Sequence, residues 1–379
     1  IMVVTGVQTC SLPIWIQHSH GIACVGYRQA ALRTGYEQVI AHRTGDLFAQ
    51  TAKKPGRVVS VSPTGMIVEY EDGEQKGFEL GRRFGNASGM VIPHEVITDM
   101  VAGQVFKVGE ALCFNEGFFE RDFLDPSQIV WKAGIPVKTV LLESTQTLED
   151  SAAITKRVAR KLTANITKVR TVVLSFDQAV HRIAKVGTNL ESEDILCTIE
   201  DAVTANSSQF DDASLDTLRL LSAQTPQAKV RGVLERVEIF YHGDKEDMHL
   251  TLRNAVTESD REFAKRNRSA GKKVFTGSVD EGFRTDGDPL GLDKLAIRFY
   301  ITSPVTAGVG DKGVFGNQLK TVFGEVMDEP LLTEDGEEVD AVFGAKSVDD
   351  RIVISPHAIG TTTTLMRIGG YEAYRRYKL

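Results

Sequence analysis

Lys312 and Lys320 stand eight residues apart on a loop punctuated by Gly308, Gly310, Gly313 and Gly316. The first of them closes a Gly310-Asp311-Lys312 turn. Downstream, the stretch DGEEVDAVF (335–343) leads to Asp349-Asp350-Arg351-Ile352. A lysine ammonium is a compact point charge, and an arginine guanidinium is a planar fork that grips two phosphate oxygens at once. Two lysines on a tight glycine-bearing loop, with an arginine near the end of a later segment, make a credible phosphate clamp. The loop is not a P-loop, because the G-x-x-x-x-G-K-[ST] spacing is absent. A turn that simply ends a strand is the competing reading.

Other chemistry finds less support. His18 and His20 form an H-x-H pair with no further ligands at metal spacing, and His181, His242 and His249 read as surface or core-edge histidines. Cys10, Cys24, Cys113 and Cys197 form no C-x-x-C and no small-domain framework, which argues against a zinc ribbon or a disulfide scaffold. No nucleophile elbow accompanies a Ser/His/Asp order. The acid clusters TDGDP (285–289) and FDDAS (210–214) lack the spacing of a metal triad. Trp15 and Trp131 read as packing residues.

The elements that must position the lysines are mostly strands. From Arg57 to Leu80 apolar residues alternate around a Thr64-Gly65 turn and an Asp72-Gly73 hairpin signal. Short strands continue through 91–118 between Gly103, Gly109 and Gly117, and VKTVLL (137–142) is a near-continuous apolar strand. Glu149–Leu162 has helical spacing, with Thr147 as its expected N-cap hydroxyl and acids in its first turn. Glu191–Asp216 is acidic and polar, as an exposed excursion would be. Val230–Tyr241 and Leu295–Ile301 read as strands, Thr257–Ser269 as a charged helix, Asp280–Leu290 and Gly308–Gly316 as loops. The fold class expected is α+β, β-dominated, a barrel interrupted by a large insertion.

A chain of 379 residues has room for two or three domains. Its net charge of -7 argues against a uniformly basic coat but not against a local basic groove. Basic residues do cluster: Lys156, Arg157, Arg160, Lys161, Lys168 and Arg170 occur in an acid-free run, with further groups at 265–273 and 367–378. No uncharged apolar run reaches the roughly 18 residues of a membrane helix, and no membrane partner is expected. VTGVQTCSLPI (4–14) nearly matches one translated frame of a sequencing adapter, departing at Ser11. Residues 1–14 are therefore set aside as an expected artefact.

The 310–320 and 335–351 stretches resemble the large β subunit of multisubunit DNA-directed RNA polymerases, whose patterns are GDKMAGRHGNKG and DGTPVDIVLNPLGVPSRMN. Gapless alignment puts Lys312 and Lys320 on the two family lysines, Val339-Asp340 on the VD pair and Arg351 on the SRM arginine. A local gap would instead set Gly316-Asn317 on the family GN and move Lys320 off its match. Thr147–Arg157 (TLEDSAAITKR) is similar to NFEDSILVSER, Arg33–Glu37 (RTGYE) to GTGME, and RVVSVSPTGMIVEYEDGE to the GVVxYVDAxRIVVRYDDGE segment. VGTNLESEDIL (186–196) is similar to VGxxVxxGDIL, and Val230–Tyr241 to the flap strand GTVIDVQVF. The blocks run in family order over most of 33–360. The family's RHGN and its EGYNF segment are replaced here, and no GGQRFGEME-type clamp motif is found. In that divergence the chain is more similar to the split β subunits of large-genome bacteriophages than to cellular ones.

The resemblance implies a double-psi β-barrel with an inserted flap-like domain. It would divide into a β-rich region (15–136), the first part of the barrel (137–185), the flap-like insertion (186–290) and the second part of the barrel with the GDK loop (291–379). Lys312, Lys320 and Arg351 would bind NTP phosphates and the RNA 3′ end, and Glu149 and Asp150 would lie near the NTP and the second Mg2+. That Mg2+ would be held mainly by a β′-like partner carrying an NADFDGD-type triad, a motif this sequence lacks, so the chain would be inactive alone. DNA template, RNA transcript and NTPs are the other expected partners. The expected compartment is the cytoplasm, that of the host for a phage protein, or the virion. The competing class is a non-catalytic β-barrel interaction module that binds a polyanion or a protein partner.

Overall fold

The computed structural model describes residues 2–4, 22–30, 32–33, 35–87, 90–132, 134–145, 147–201, 224–315, 319–350 and 354–377. The chain is a β-dominated α+β protein built from several sheets, none of which closes into a barrel among the described residues. The FDDAS acids, Trp15, His18, His20 and Arg351 lie outside the described residues.

The upstream part is a meander. Gly56–Ser62, Gly65–Tyr70 and Gln75–Glu79 pair in sequence, with Val105–Phe106 on the outer edge. Alternation buries Val58, Met66, Val68, Tyr70 and Phe78 on one side. The expected Asp72-Gly73 turn is present, with Gly73 at φ 81, a left-handed conformation open to glycine.

An eight-stranded sheet follows, dominated by three long strands: Ala164–Ser175, Gly232–His242 and Lys294–Val305. The first and last pair over their whole length, from Ala164 opposite Val305 to Ser175 opposite Lys294. One face buries Leu174, Ile239, Leu295, Ile297, Phe299 and Ile301 against the helix Leu250–Ser269, which contributes Leu252 and Val256. That helix starts seven residues before the expected Thr257, because His249 caps it by accepting from the Thr251 N–H at 3.3 Å. Its C-terminal end rests directly on the meander, where a Cβ on Gly77 would come 1.8 Å from the Ala270 carbonyl oxygen.

The third unit is a seven-stranded mixed sheet in the order Ile135–Val137, Met2–Val4, Lys312–Phe315, Leu319–Met327, Ser151–Thr155, Ala341–Phe343, Thr139–Leu141. Ser151–Thr155 runs parallel to Leu319–Met327, and Thr139–Leu141 parallel to Ala341–Phe343. Each parallel pair therefore joins a strand that precedes the long 164–305 excursion to one that follows it. Ile135, Ile154, Phe315, Phe323 and Phe343 fill its core. Met2–Val4 belongs to the stretch set aside as adapter-like; its pairing is by backbone, which any extended peptide can supply.

The segment 147–162 departs from its expected helix. The helical spacing over Glu149–Leu162 resolves into a strand, Ser151–Thr155, and a short helix, Lys156–Lys161. Thr147 caps no helix: it is fully buried, accepts from the Ser144 N–H at 2.8 Å and donates to the Leu142 carbonyl at 2.8 Å, closing a turn. The N-cap is Thr155, whose hydroxyl accepts from Val158 N–H at 3.3 Å. Trp131 is a packing residue, buried against Phe118 and Phe119. No helix among the described residues is long and apolar enough to cross a membrane.

Candidate functional site

The Gly-Asp-Lys turn is held from three sides. Gly310 sits at φ 93, where a side chain would be strained. The Asp311 carboxylate accepts from the Gly308 N–H at 2.8 Å, so this acid serves its own turn. Gly310 N–H donates to the Phe323 carbonyl at 2.8 Å, and Phe323 N–H donates back to the Asp311 carbonyl at 2.9 Å. Behind the turn, Gly313 admits the Phe323 ring, which a Cβ there would meet at 2.6 Å. The loop expected over Gly308–Gly316 is thus a short turn that leads straight into the strand Lys312–Phe315.

This turn fixes where the lysines go. Lys312 opposes Val322, and Lys320 opposes Val314. Antiparallel partners share a face and the side-chain period is two, so both lysines lie on the same face of the hairpin as diagonal neighbours. Diagonal pairs of this kind are about 7–8 Å apart. Both lysines are exposed, while Gly313, Phe315, Leu319, Thr321 and Phe323 fill the opposite, buried face.

Val322 also opposes Ser151 on its other side, and its N–H donates to the Asp150 carbonyl at 3.0 Å. Lys312, Val322 and Ser151 therefore form one row across three strands, about 10 Å wide at a strand spacing of about 4.8 Å. Glu149 and Asp150 stand at the end of that row, both exposed. Glu149 adopts φ 54, a left-handed conformation that costs an L-residue about 1 kcal/mol. The turn is held there by its neighbours. The Glu149 carbonyl accepts from the Ser347 hydroxyl, and the Glu143 carboxylate accepts from Lys346 N–H at 2.7 Å. Gly344 lies against the Thr147 carbonyl so closely that a Cβ would come within 2.7 Å.

The helix Ala345–Asp349, bearing Ser347, is the last described element before Arg351. Lys312, Lys320, Glu149 and Asp150 thus converge at one end of the mixed sheet. Arg351 itself lies outside the described residues, although the segment leading to it is fastened to the Glu149 turn.

The Val339-Asp340 pair has a structural account. Val339 is buried, and the Asp340 carboxylate accepts from Lys138 N–H at 2.9 Å and from Arg157 Nη2 at 2.7 Å. Its carbonyl accepts from Thr155 N–H at 3.0 Å. Asp340 thereby ties three segments together, and the neighbouring Glu338 also pairs with Arg157, at 2.6 Å. Sequence reasoning missed this role because Lys138, Arg157 and Asp340 are remote in the chain. Among the described residues no group of three or more His, Cys, Asp or Glu side chains converges on one point.

No protein-family model matches the chain, and no curated protein matches it.

Proposed function

We propose that the chain is the catalytic core of a divergent RNA polymerase β-type subunit, with Lys312 and Lys320 as phosphate-binding residues of the active centre. One observation carries the reading. The family-like blocks are distant in sequence, yet Lys312, Lys320, Glu149-Asp150 and the helix Ala345–Asp349 that leads towards Arg351 lie at one end of a single sheet, while Val339-Asp340 and Arg157 sit at the other end of the strand Ser151–Thr155. In this reading the seven-stranded mixed sheet is the counterpart of the double-psi β-barrel, and the 164–305 excursion that of the flap-bearing insertion.

The reaction would be nucleotidyl transfer: the RNA 3′ oxygen attacks the α-phosphorus of an NTP, one P–O bond forms, and pyrophosphate departs as another breaks. Lys312 and Lys320 would offset charge on the triphosphate and on the developing pyrophosphate, with Arg351 as a third cation. Mg2+, held mainly by a β′-like partner, would supply charge at the entering and leaving oxygens. Glu149 and Asp150, exposed carboxylates on a fastened turn, suit a place beside that ion.

Charge-assisted hydrogen bonds contribute about 1.5–3 kcal/mol each. Lys312→Ala or Lys320→Ala in the assembled enzyme should therefore raise the NTP KM, or lower kcat/KM, by on the order of 10- to 100-fold. Steady-state nucleotide addition across an NTP series checks this. Unchanged kinetics in both variants would remove these lysines from the site.

A further inference from the structure

Several of the cations that cluster in the sequence are spent on acids. Lys156 pairs with Asp328 at 2.7 Å, Arg157 with Glu338 and Asp340, Arg266 with Glu238 at 3.0 Å, and Lys272 with Glu79 at 2.8 Å. Three others share one pocket. Arg28, Arg160 and Lys161 line one open pocket of about 440 Å³ together with Val25, Gly26 and Pro136, and no acid shares that lining. Among the described residues none of the three makes an ion pair. The adjoining groove, of about 540 Å³, also reaches Pro136 but balances Lys138, Arg157 and Arg367 against Glu337, Glu338 and Asp340.

The pocket is built by close backbone approach rather than by chance exposure. Gly26 N–H donates to the Lys161 carbonyl at 2.8 Å, and Val25 N–H to the Thr163 carbonyl at 3.0 Å. Only glycine permits this at position 26, where a Cβ would lie 2.6 Å from the Lys161 Cβ. Arg28 N–H donates to the Gly134 carbonyl at 2.8 Å, and its guanidinium donates to the Tyr27 carbonyl at 2.7 Å. Arg160 and Lys161 occupy the last turn of the helix Lys156–Lys161, where cations complement the helix dipole. That explanation does not reach Arg28, which a segment more than a hundred residues away brings to the same pocket. In a chain of net charge -7, three uncompensated cations facing one cavity repel each other unless an anion joins them.

We infer that this pocket binds the phosphodiester backbone of a nucleic-acid strand. The three cations are exposed and the pocket is open, so it can receive a phosphate from a continuous strand that passes across it. Exposed cations of this kind act through counterion release, which an extended polyanion offers. This inference stands apart from the polymerase reading, since it needs neither a partner nor NTP.

The test is binding of the full chain to a fluorescently labelled oligothymidylate by anisotropy across a salt series. Each phosphate contact on a single strand contributes about 0.7 to the slope of log K against log salt. Arg28→Ala/Arg160→Ala/Lys161→Ala should flatten that slope by about 2 and weaken binding at low salt by about 10-fold or more, whereas the lysine replacements Arg28→Lys and Arg160→Lys should keep the slope. If the triple variant melts early, the exposed single change Arg160→Ala carries the test, with a slope loss of about 0.7. An unchanged slope in the folded variant overturns the proposal. So does binding of inorganic triphosphate at the pocket without binding of the oligonucleotide, which would assign it to free polyphosphate.

Discussion

Asp122→Ala is expected to cost about 3–5 kcal/mol of folding stability, the largest effect of any single substitution considered for this chain. Asp122 is 1% exposed, and both its carboxylate oxygens accept from Arg33 Nη1 at 3.0 Å. Gln38 Nε2 and Leu124 N–H donate to the same carboxylate at 3.0 and 2.9 Å. Burial pushes the carboxyl up, but the hydrogen bonds from Gln38, Leu124 and Arg33 outweigh it and hold the group below the usual 3.8. Removing the carboxylate leaves the Arg33 guanidinium almost buried over the Phe123 ring, 4.5 Å from its centroid, with no anion to face. A buried pair stabilises little over a well-packed apolar one, yet breaking one side is costly. Replacing both residues by apolar side chains should therefore recover much of the loss. Urea unfolding of the single and double variants checks this, and a loss under about 1 kcal/mol for Asp122→Ala would mean the pair is effectively solvated.

The second large effect is a dependence on pH through His94. The ring is 7% exposed between Phe48 and Phe118, and its Nδ1 lies 2.8 Å from the Asn115 side-chain amide nitrogen. Asn115 donates there and to the Leu47 carbonyl, so Nδ1 is the acceptor of a neutral ring. Burial, with Arg83 and Arg82 adding like charge, lowers the pKa from 6.5 to about 4. The folded state thus refuses a proton that the unfolded state binds. Stability is full above pH 6.5, falls as pH drops from 6.5 towards 4, and levels off below, a total of ~3 kcal/mol. Asp122, held below 3.8, loses its contribution only beneath that window. His94→Gln should be less stable at neutral pH but should lack this component between pH 6.5 and 4. Unfolding free energies of both proteins at several pH values give the comparison, and equal slopes would assign the dependence to other groups.

Local signals carried far in this chain. Alternation with Asp72-Gly73 gave the meander its turn, LAIRFYI lies within the long strand Lys294–Val305, and all but the first two residues of VRGVLERVEIFY lie within Gly232–His242. The failures come from non-local pairing. Ser151–Thr155 reads S-A-A-I-T, a run in which alanine is neutral between the helical and strand periods. Its partners, Leu319–Met327 and Ala341–Phe343, arrive more than 160 residues later and decide the matter by burying Ala152, Ala153 and Ile154. Thr147 carried a plausible capping hydroxyl, but it closes a turn against which Gly344 packs, nearly two hundred residues further along the chain.

The candidate site shows the same division. Residue types and spacing let the lysines on a glycine-bearing turn be read as a phosphate clamp. That they share a face follows from the register, Lys312 opposite Val322 and Lys320 opposite Val314, which no spacing rule specifies. The Arg28 pocket was half visible: Arg160 and Lys161 stood out in a basic run, while Arg28 joins them through non-local backbone contacts of Val25, Gly26 and Arg28 itself.

The most direct test of the polymerase reading is template-directed incorporation of labelled NMP by this chain co-purified with a β′-like partner bearing an Asp-rich triad. Incorporation is expected to require both chains and to fall on the order of 10- to 100-fold in kcat/KM when Lys312 and Lys320 are replaced by alanine. Incorporation by the partner alone at the same rate, or by the complex regardless of those lysines, would contradict that reading.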